Sequence, residues 1–282
     1  MKELPIGFID SGFGGLTVLK QSLKQLPNES SIYLGDSFRA PYGVRSLDEV
    51  RRYIWQMTNF LREKGIKMLV IACNTGAAAT LDELRQTLAI PVVGVIHAGS
   101  RAAIMETDNQ RIGIIATPAT IQSGTYQAII NQKDKDLSVY SQACPEFVNI
   151  VEEGRIDQPE TQGVIRTYLQ PLKDQGVDTL VLGCTHYPHL RPLIQDFMGP
   201  EVVLIDSGVE TINEVSALLD YFKLSRSAQD ATLQPPTHTY YTTGSGGRFA
   251  RFAQMWLGQP DLYVHECQIK GEMICEADHS QP

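Results

Sequence analysis

The chain has 282 residues, 43% hydrophobic and 20% charged, which describes a folded protein with room for two domains and not a disordered one. A formal net charge of −8 supplies no basic excess for releasing counterions, so no nucleic-acid partner is expected, although a small pocket can still be locally positive. The N-terminal "MKELPIGFID" lacks the apolar core of a secretory signal and no apolar run approaches bilayer length, so a cytoplasmic protein without a membrane partner is expected.

Short β-branched runs alternate with longer amphipathic ones. Strands are predicted at 5–10, 31–36, 67–73, 91–96, 111–117, 137–143, 179–184 and 201–207, with helical patterns such as 46–65 and 159–176 between them. Runs apolar on both faces predict strands covered by helices on each side, hence parallel α/β sheets. Three strand ends recur in the same order 106 to 111 residues apart: "GFID" with "GIIA", Cys73 with Cys184, and "VVGVI" with "VVLID". The fold class expected is therefore α/β, as two similar parallel-sheet domains related by pseudo-symmetry with a site in the cleft between them. A helical stretch (208–224), a polar segment (225–238), the strand "TYYTT" and a helix from Arg248 are too little for a third domain. The boundaries expected are 1–97 plus 208–268 for the first domain, 98–207 for the second, and a loose tail over 269–282.

In open parallel sheets, ligands bind beyond the carboxyl ends of the strands. There the sequence places Asp10 and Ser11, then Cys73, Asn74 and Thr75, then Thr117, then Cys184, Thr185 and His186. Taken singly, each has a structural explanation, since buried cysteine is common and Asn, Thr and Ser favour helix N-caps. Two repeat-related cysteines at two strand ends point to chemistry instead. The five cysteines form no C-x-x-C pair and no zinc spacing, so neither a disulfide framework nor a metal is expected. If the halves face each other, one thiolate can take a proton from a bound molecule while the opposite thiol delivers one to its other face. A free thiol pKa near 8.5 keeps both protonation states in reach. Asp10 beside Cys73 and His186 beside Cys184 would orient or shuttle those protons, and the helix N-termini would hold a carboxylate. "SGFGGLT" matches neither G-x-x-x-x-G-K-[ST] nor G-x-G-x-x-G, so a nucleotide is not expected. The Gly/Pro-punctuated loop 35–46 brings Tyr42 and Gly43 toward the same edge.

The segments "IDSGFGGLTVL", "GDSFRAPYG", "IACNT", "ATPAT" and "GCTHYP" occur in the order and spacing of bacterial glutamate racemases, over roughly residues 5 to 265. The chain resembles that cofactor-independent family, and "GCTHYP" is the most specific element. The resemblance implies Cys73 and Cys184 as the acid/base thiols. It further implies Asp10 and His186 as assisting groups, and Glu152 in "VEEG" as the carboxylate supporting the histidine. It places Ser11, Tyr42, Gly43, Asn74, Thr75, Thr117, Thr120, Thr185 and His186 at substrate contacts, with Pro41 shaping the loop and Asp10 close by. It implies glutamate as substrate, no cofactor, D-glutamate supplied for peptidoglycan, and two α/β halves with the C-terminal segment returning to the first. A homodimer is the default assembly for such an enzyme. Three alternatives are weighed against this reading. Aspartate as substrate is disfavoured by His186, a ligand-binding module by the missing signal and P-loop patterns, and a redox switch by the absence of C-x-x-C.

Overall fold

The computed structural model describes residues 1–260 and 262–277. From the N-terminus, β1 (Ile6–Asp10) leads to α1 (Leu16–Gln25), β2 (Ser31–Gly35) to α2 (Leu47–Lys64), β3 (Met68–Ile71) to α3 (Asn74–Thr87), and β4 (Val92–Gly94) to α4 (Val95–Glu106). The pattern resumes with β5 (Arg111–Ala116), α5 (Pro118–Gln122), α6 (Thr125–Lys133), β6 (Ser138–Ala143), α7 (Glu146–Glu152) and α8 (Pro159–Asp174). Then follow β7 (Thr179–Gly183), α9 (Arg191–Met198), β8 (Val203–Asp206), α10 (Ser207–Tyr221), α11 (Ala228–Leu233), β9 (His238–Thr242), α12 (Gly246–Leu257), β10 (Val264–Lys270) and β11 (Met273–Glu276).

Local chemistry explains the boundaries. Helix α2 begins at a capping box in which Ser46 and Glu49 satisfy each other's backbone N–H, and it stops at Gly65, whose φ of 78° ends the helix without steric penalty. Helix α8 starts with proline in its first turn, where a missing N–H is harmless. Strands β1, β3 and β7 are buried at every residue, as strands covered on both faces must be.

Two sheets result, ordered β11-β10-β9-β2-β1-β3-β4 and β6-β5-β7-β8. The block β2-β1-β3-β4 of the first repeats the whole order of the second, and every pairing in both blocks is parallel. In each block the chain leaves the central strand to one side and returns on the other. The connection therefore reverses between β1 and β3, and again between β5 and β7. The crevice for a ligand lies at that switch. Helices α4 and α10, which carry the chain from one sheet to the other and back, pack on each other.

Two expectations are corrected. The strand expected over 91–96 ends at Gly94, because Val95 and Ile96 already belong to the connecting helix α4. The tail expected to be loose over 269–282 is ordered through residue 276, where β10 and β11 form a hairpin turning at Gly271–Glu272. Strand β10 extends the first sheet by pairing with β9, and Ile274 is buried in the core. Residues 278–282 lie outside the described residues. Among the described residues, no helix is long and apolar enough to cross a membrane.

Candidate active site

Strand β1 ends at Asp10, which is fully buried and accepts a hydrogen bond from the Gly12 amide on Oδ2 (2.9 Å). Burial pushes its carboxyl pKa up, against the lowering effect of nearby amides and of the His186 charge. Strand β3 ends two residues before Cys73, which takes the N-cap position of α3 so that its Sγ accepts from the Gly76 amide at 3.4 Å. Burial, reinforced by the negative charge of Asp10, pushes the Cys73 thiol up to about 12, although Gly76 and Ser11 pull the other way. Cys73 therefore rests as a thiol, a proton donor.

The second sheet presents a different environment at the equivalent place. Cys184 follows β7, and its Sγ lies 3.7 Å from His186 Nδ1. The opposite ring nitrogen, Nε2, lies 3.1 Å from Oε1 of Glu152 at the end of α7. Burial alone would lower the histidine pKa, but the hydrogen bonds to Cys184 and Glu152 outweigh it and raise it to about 10. At neutral pH His186 is then a cation beside the Cys184 sulfur. The two sulfurs thus sit in unlike electrostatic surroundings, Cys73 beside Asp10 and Cys184 beside His186.

Both sulfurs line one cavity enclosing about 30 Å³ of free space, against about 300–1,000 Å³ for an ordinary small-molecule pocket. The site is closed down. Ser11, Pro41, Tyr42, Gly43, Asn74, Thr75, Thr117, Glu152, Thr185 and His186 line it as well, together with Gly12, Ala40 and Val148. Asp10 and Thr120 stand behind that lining. Thr120 completes a triangle of hydroxyls with Thr75 and Thr117, each pair 3.0 Å apart, which joins the start of α3 to the loop after β5. Asn74 accepts from the Tyr126 hydroxyl at 2.7 Å. The loop carrying Gly43 approaches Thr117 so closely that a Cβ on Gly43 would sit 2.5 Å from that residue's Cβ. A larger apolar cavity of about 540 Å³, beside Leu88 and Leu218, carries none of the strand-end groups.

Tyr42 is more specialised than its position suggests. Its hydroxyl donates to the buried carboxylate of Asp36, which also accepts from Arg39 and Thr243, so the phenol is occupied. Tyr42→Phe should therefore lower stability by about 1.5–3 kcal/mol, as expected for losing a hydrogen bond to a charged group. It should leave the KM for substrate close to wild type. A thermal melt beside steady-state kinetics checks both, and a large rise in KM with unchanged stability would contradict the assignment.

Sequence reasoning missed the support behind Glu152. Its second oxygen, Oε2, accepts from Nη2 of Arg248 at 3.1 Å, and the His186 ring meets Trp256 edge-on at 6.0 Å. Both come from α12, which follows no strand of the repeated block, so strand-end logic had no means of finding them. Tyr126 was missed because it sits on α6, within the repeated block but away from any strand end. Among the described residues, no group of three or more His, Cys, Asp or Glu stands together as a metal site.

This geometry has counterparts elsewhere. The sequence profile of the Asp/Glu/Hydantoin racemase family matches residues 6–215. The chain belongs to that family. It is 53% identical over 270 residues to the glutamate racemase of Lactiplantibacillus plantarum, covering 96% of this chain and 98% of that one. It is 52% identical over 269 residues to that of Carnobacterium sp., covering 95% and 100%. Among solved structures, this racemase is similar to a glutamate racemase from Bacillus anthracis, with a TM-score of 0.91 at 41% identity, covering 97% of this chain and 100% of that one. A glutamate racemase from Francisella tularensis in complex with D-glutamate gives 0.87 at 34%, covering 94% and 98%.

Proposed function

We propose that this racemase interconverts L- and D-glutamate by deprotonation on one face of Cα and reprotonation on the other, with Cys73 and Cys184 as the two proton-transfer groups. The observation that carries the reading is the pair of buried thiols at equivalent strand ends of two sheets, lining one cavity in unlike protonation environments. A thiolate takes the Cα proton, and the bonding electron pair is held at Cα and spread into the α-carboxylate. The opposing thiol then gives its proton to the other face, leaving the substrate inverted and the two thiols with exchanged protonation states.

His186, held by Glu152 behind it, exchanges a proton with Cys184 and resets that thiol. Asp10 serves the Cys73 side. The α-proton of an amino acid is a poor acid, so the developing charge needs fixed donors in a site without bulk water. The amides at the start of α3 and the hydroxyls of Thr75, Thr117 and Thr185 are suited to that role, with Ser11, Asn74 and the Tyr42–Gly43 backbone holding the rest of the substrate. The two thiols cover both proton transfers, so the reaction as written calls for no cofactor. The product fits a supply of D-glutamate to peptidoglycan. Two further assignments go with this reading: two structural units over 1–97 with 208–268 and 98–207, and a homodimer. Five unpaired cysteines suit a reducing cytoplasm.

Circular dichroism of L-glutamate and of D-glutamate, each incubated with the protein in D2O without pyridoxal phosphate, tests the proposal. Decay of both signals to zero with deuterium at Cα is the expected result. Decay with aspartate but not glutamate would move the substrate assignment, and silence on both would overturn the reading.

A further inference from the structure

Glu152 is shared between two cations. Oε1 faces His186 Nε2 and Oε2 accepts from Arg248, each at 3.1 Å. The two partners come from different parts of the fold. Helix α7, which carries Glu152, packs beside the 187–190 turn that follows Cys184, whereas α12, which carries Arg248, packs on α1, β9 and β10 of the first sheet. The Arg248–Glu152 pair therefore reaches from one sheet to the other and ends on the carboxylate that orients the histidine beside Cys184. On the Cys73 side the links between the sheets are hydroxyl and amide hydrogen bonds from Thr75 and Asn74, and among the described residues no ion pair from the other sheet ends on the assisting carboxylate. That carboxylate, Asp10, is held by the amide of Gly12 in its own loop.

We propose that Arg248 is a positioning residue for one thiol of the pair: by fixing Glu152 it holds the His186 ring against Cys184, so the Cys184 half of the reaction depends on the seating of α12 while the Cys73 half does not. This rests on the racemase reading above. The guanidinium is itself preorganised, lying 5.2 Å over the Phe13 ring and 5.9 Å from that of Phe252, and those two rings stack at 4.5 Å. Among the described residues, Glu152 and Cys184 are the hydrogen-bond partners of the His186 ring. Trp256 packs perpendicular to the imidazole, Asp10 acts through its field, and His189 is kept neutral by burial and by the His186 charge. The Arg248 side chain is 52% exposed, so the pair contributes little to folding, and an effect on chemistry is separable from one on stability.

The test needs a one-sided reaction. Enantiomers have equal free energy in water, so kcat/KM in the two directions must stay equal in every variant, and any asymmetry is hidden in that ratio. Elimination from each enantiomer of a 3-chloroglutamate avoids this. One thiolate takes the Cα proton, the electron pair forms the Cα–Cβ double bond, and chloride leaves with the C–Cl pair. Water then converts the enamine to 2-oxoglutarate and ammonia. Cys73→Ala identifies the enantiomer served by Cys184, because only that one still reacts.

Arg248→Ala should slow elimination from that enantiomer roughly 3- to 10-fold and leave the other within about twofold. Arg248→Lys should recover part of the loss, with the melting temperature of both variants close to wild type. If Arg248→Ala folds poorly, Arg248→Gln carries the same comparison. Equal slowing of both enantiomers, or of neither, in an enzyme that still racemises glutamate overturns this inference alone. A wild-type protein that exchanges no Cα proton overturns the parent reading and this one with it.

Discussion

Cys73→Ala and Cys184→Ala, made separately, should each lower glutamate racemisation by about 10²–10⁴-fold, the range general acid–base groups contribute. The two proton transfers are in series on opposite faces, so losing either thiol blocks inversion, and the double variant should be scarcely worse than either single one. The loss should fall on kcat, because neither sulfur is needed to hold the carboxylates. The two variants should differ in what they retain: each can still exchange the Cα proton of one enantiomer with solvent, without inverting it. Mass spectrometry of unreacted substrate from D2O reads that directly. A single variant that racemises at a rate near wild type would remove the two-thiol mechanism.

Gly14→Ala is the second large effect. A Cβ at this position would lie 2.2 Å from Oγ1 of Thr185 and 2.7 Å from Cε1 and Nδ1 of His186, so the loop after β1 and the loop after β7 meet over a contact only hydrogen can occupy. Thr17 ties the same two loops, its hydroxyl lying 2.9 Å from the Gly14 carbonyl and 3.0 Å from that of Thr185. A methyl group must push the loops apart or turn the imidazole away from Cys184. Displacements of about 1 Å at a reacting centre lower rates about 10²-fold, so kcat/KM should fall by that order, with about 1–3 kcal/mol lost in stability from overpacking. Gly163→Ala in α8 is the control, since apart from its own helical backbone nothing lies within 4 Å of its Cβ position. It should be neutral or stabilising by up to about 1 kcal/mol. Equal behaviour of the two variants would show that the close approach at Gly14 does not hold the site together.

Most of the site was legible because the repeated block writes it in a simple form. A buried strand that runs into a cysteine, with polar residues following (Asn74 and Thr75 in one case, Thr185 and His186 in the other), occurs once in each sheet, and parallel topology sends those ends to the same crevice. Cys73, Asn74 and Thr75 could be located from that pattern alone, as could Cys184, Thr185 and His186. Glu152, Thr120 and Pro41 carry no such pattern and were reached only through resemblance to a family. Arg248 and Trp256 were legible by neither route. They sit on an ordinary amphipathic helix, and what brings them to His186 is the return of the C-terminal segment to the first sheet, a long-range event that no local period records. The hairpin at 264–276 escaped for a local reason: its strands carry charged residues at several positions, as an edge strand should, so the apolar alternation was diluted.

The two sheets also differ in how the ribosome delivers them. All four strands of the second lie in one unbroken stretch from Arg111 to Asp206, but β2 of the first must wait for β9, which sets Ser31 opposite His238 and Gly35 opposite Thr242. At about 5–20 residues per second, that wait is on the order of 10–40 s, during which the second sheet can pair fully while β2 presents a bare apolar edge. Open edges template pairing with other chains. The nascent protein is therefore most prone to aggregate in the interval between the emergence of residues 35 and 242, and a chain stopped short of β9 would keep that edge exposed permanently beside a completed second sheet.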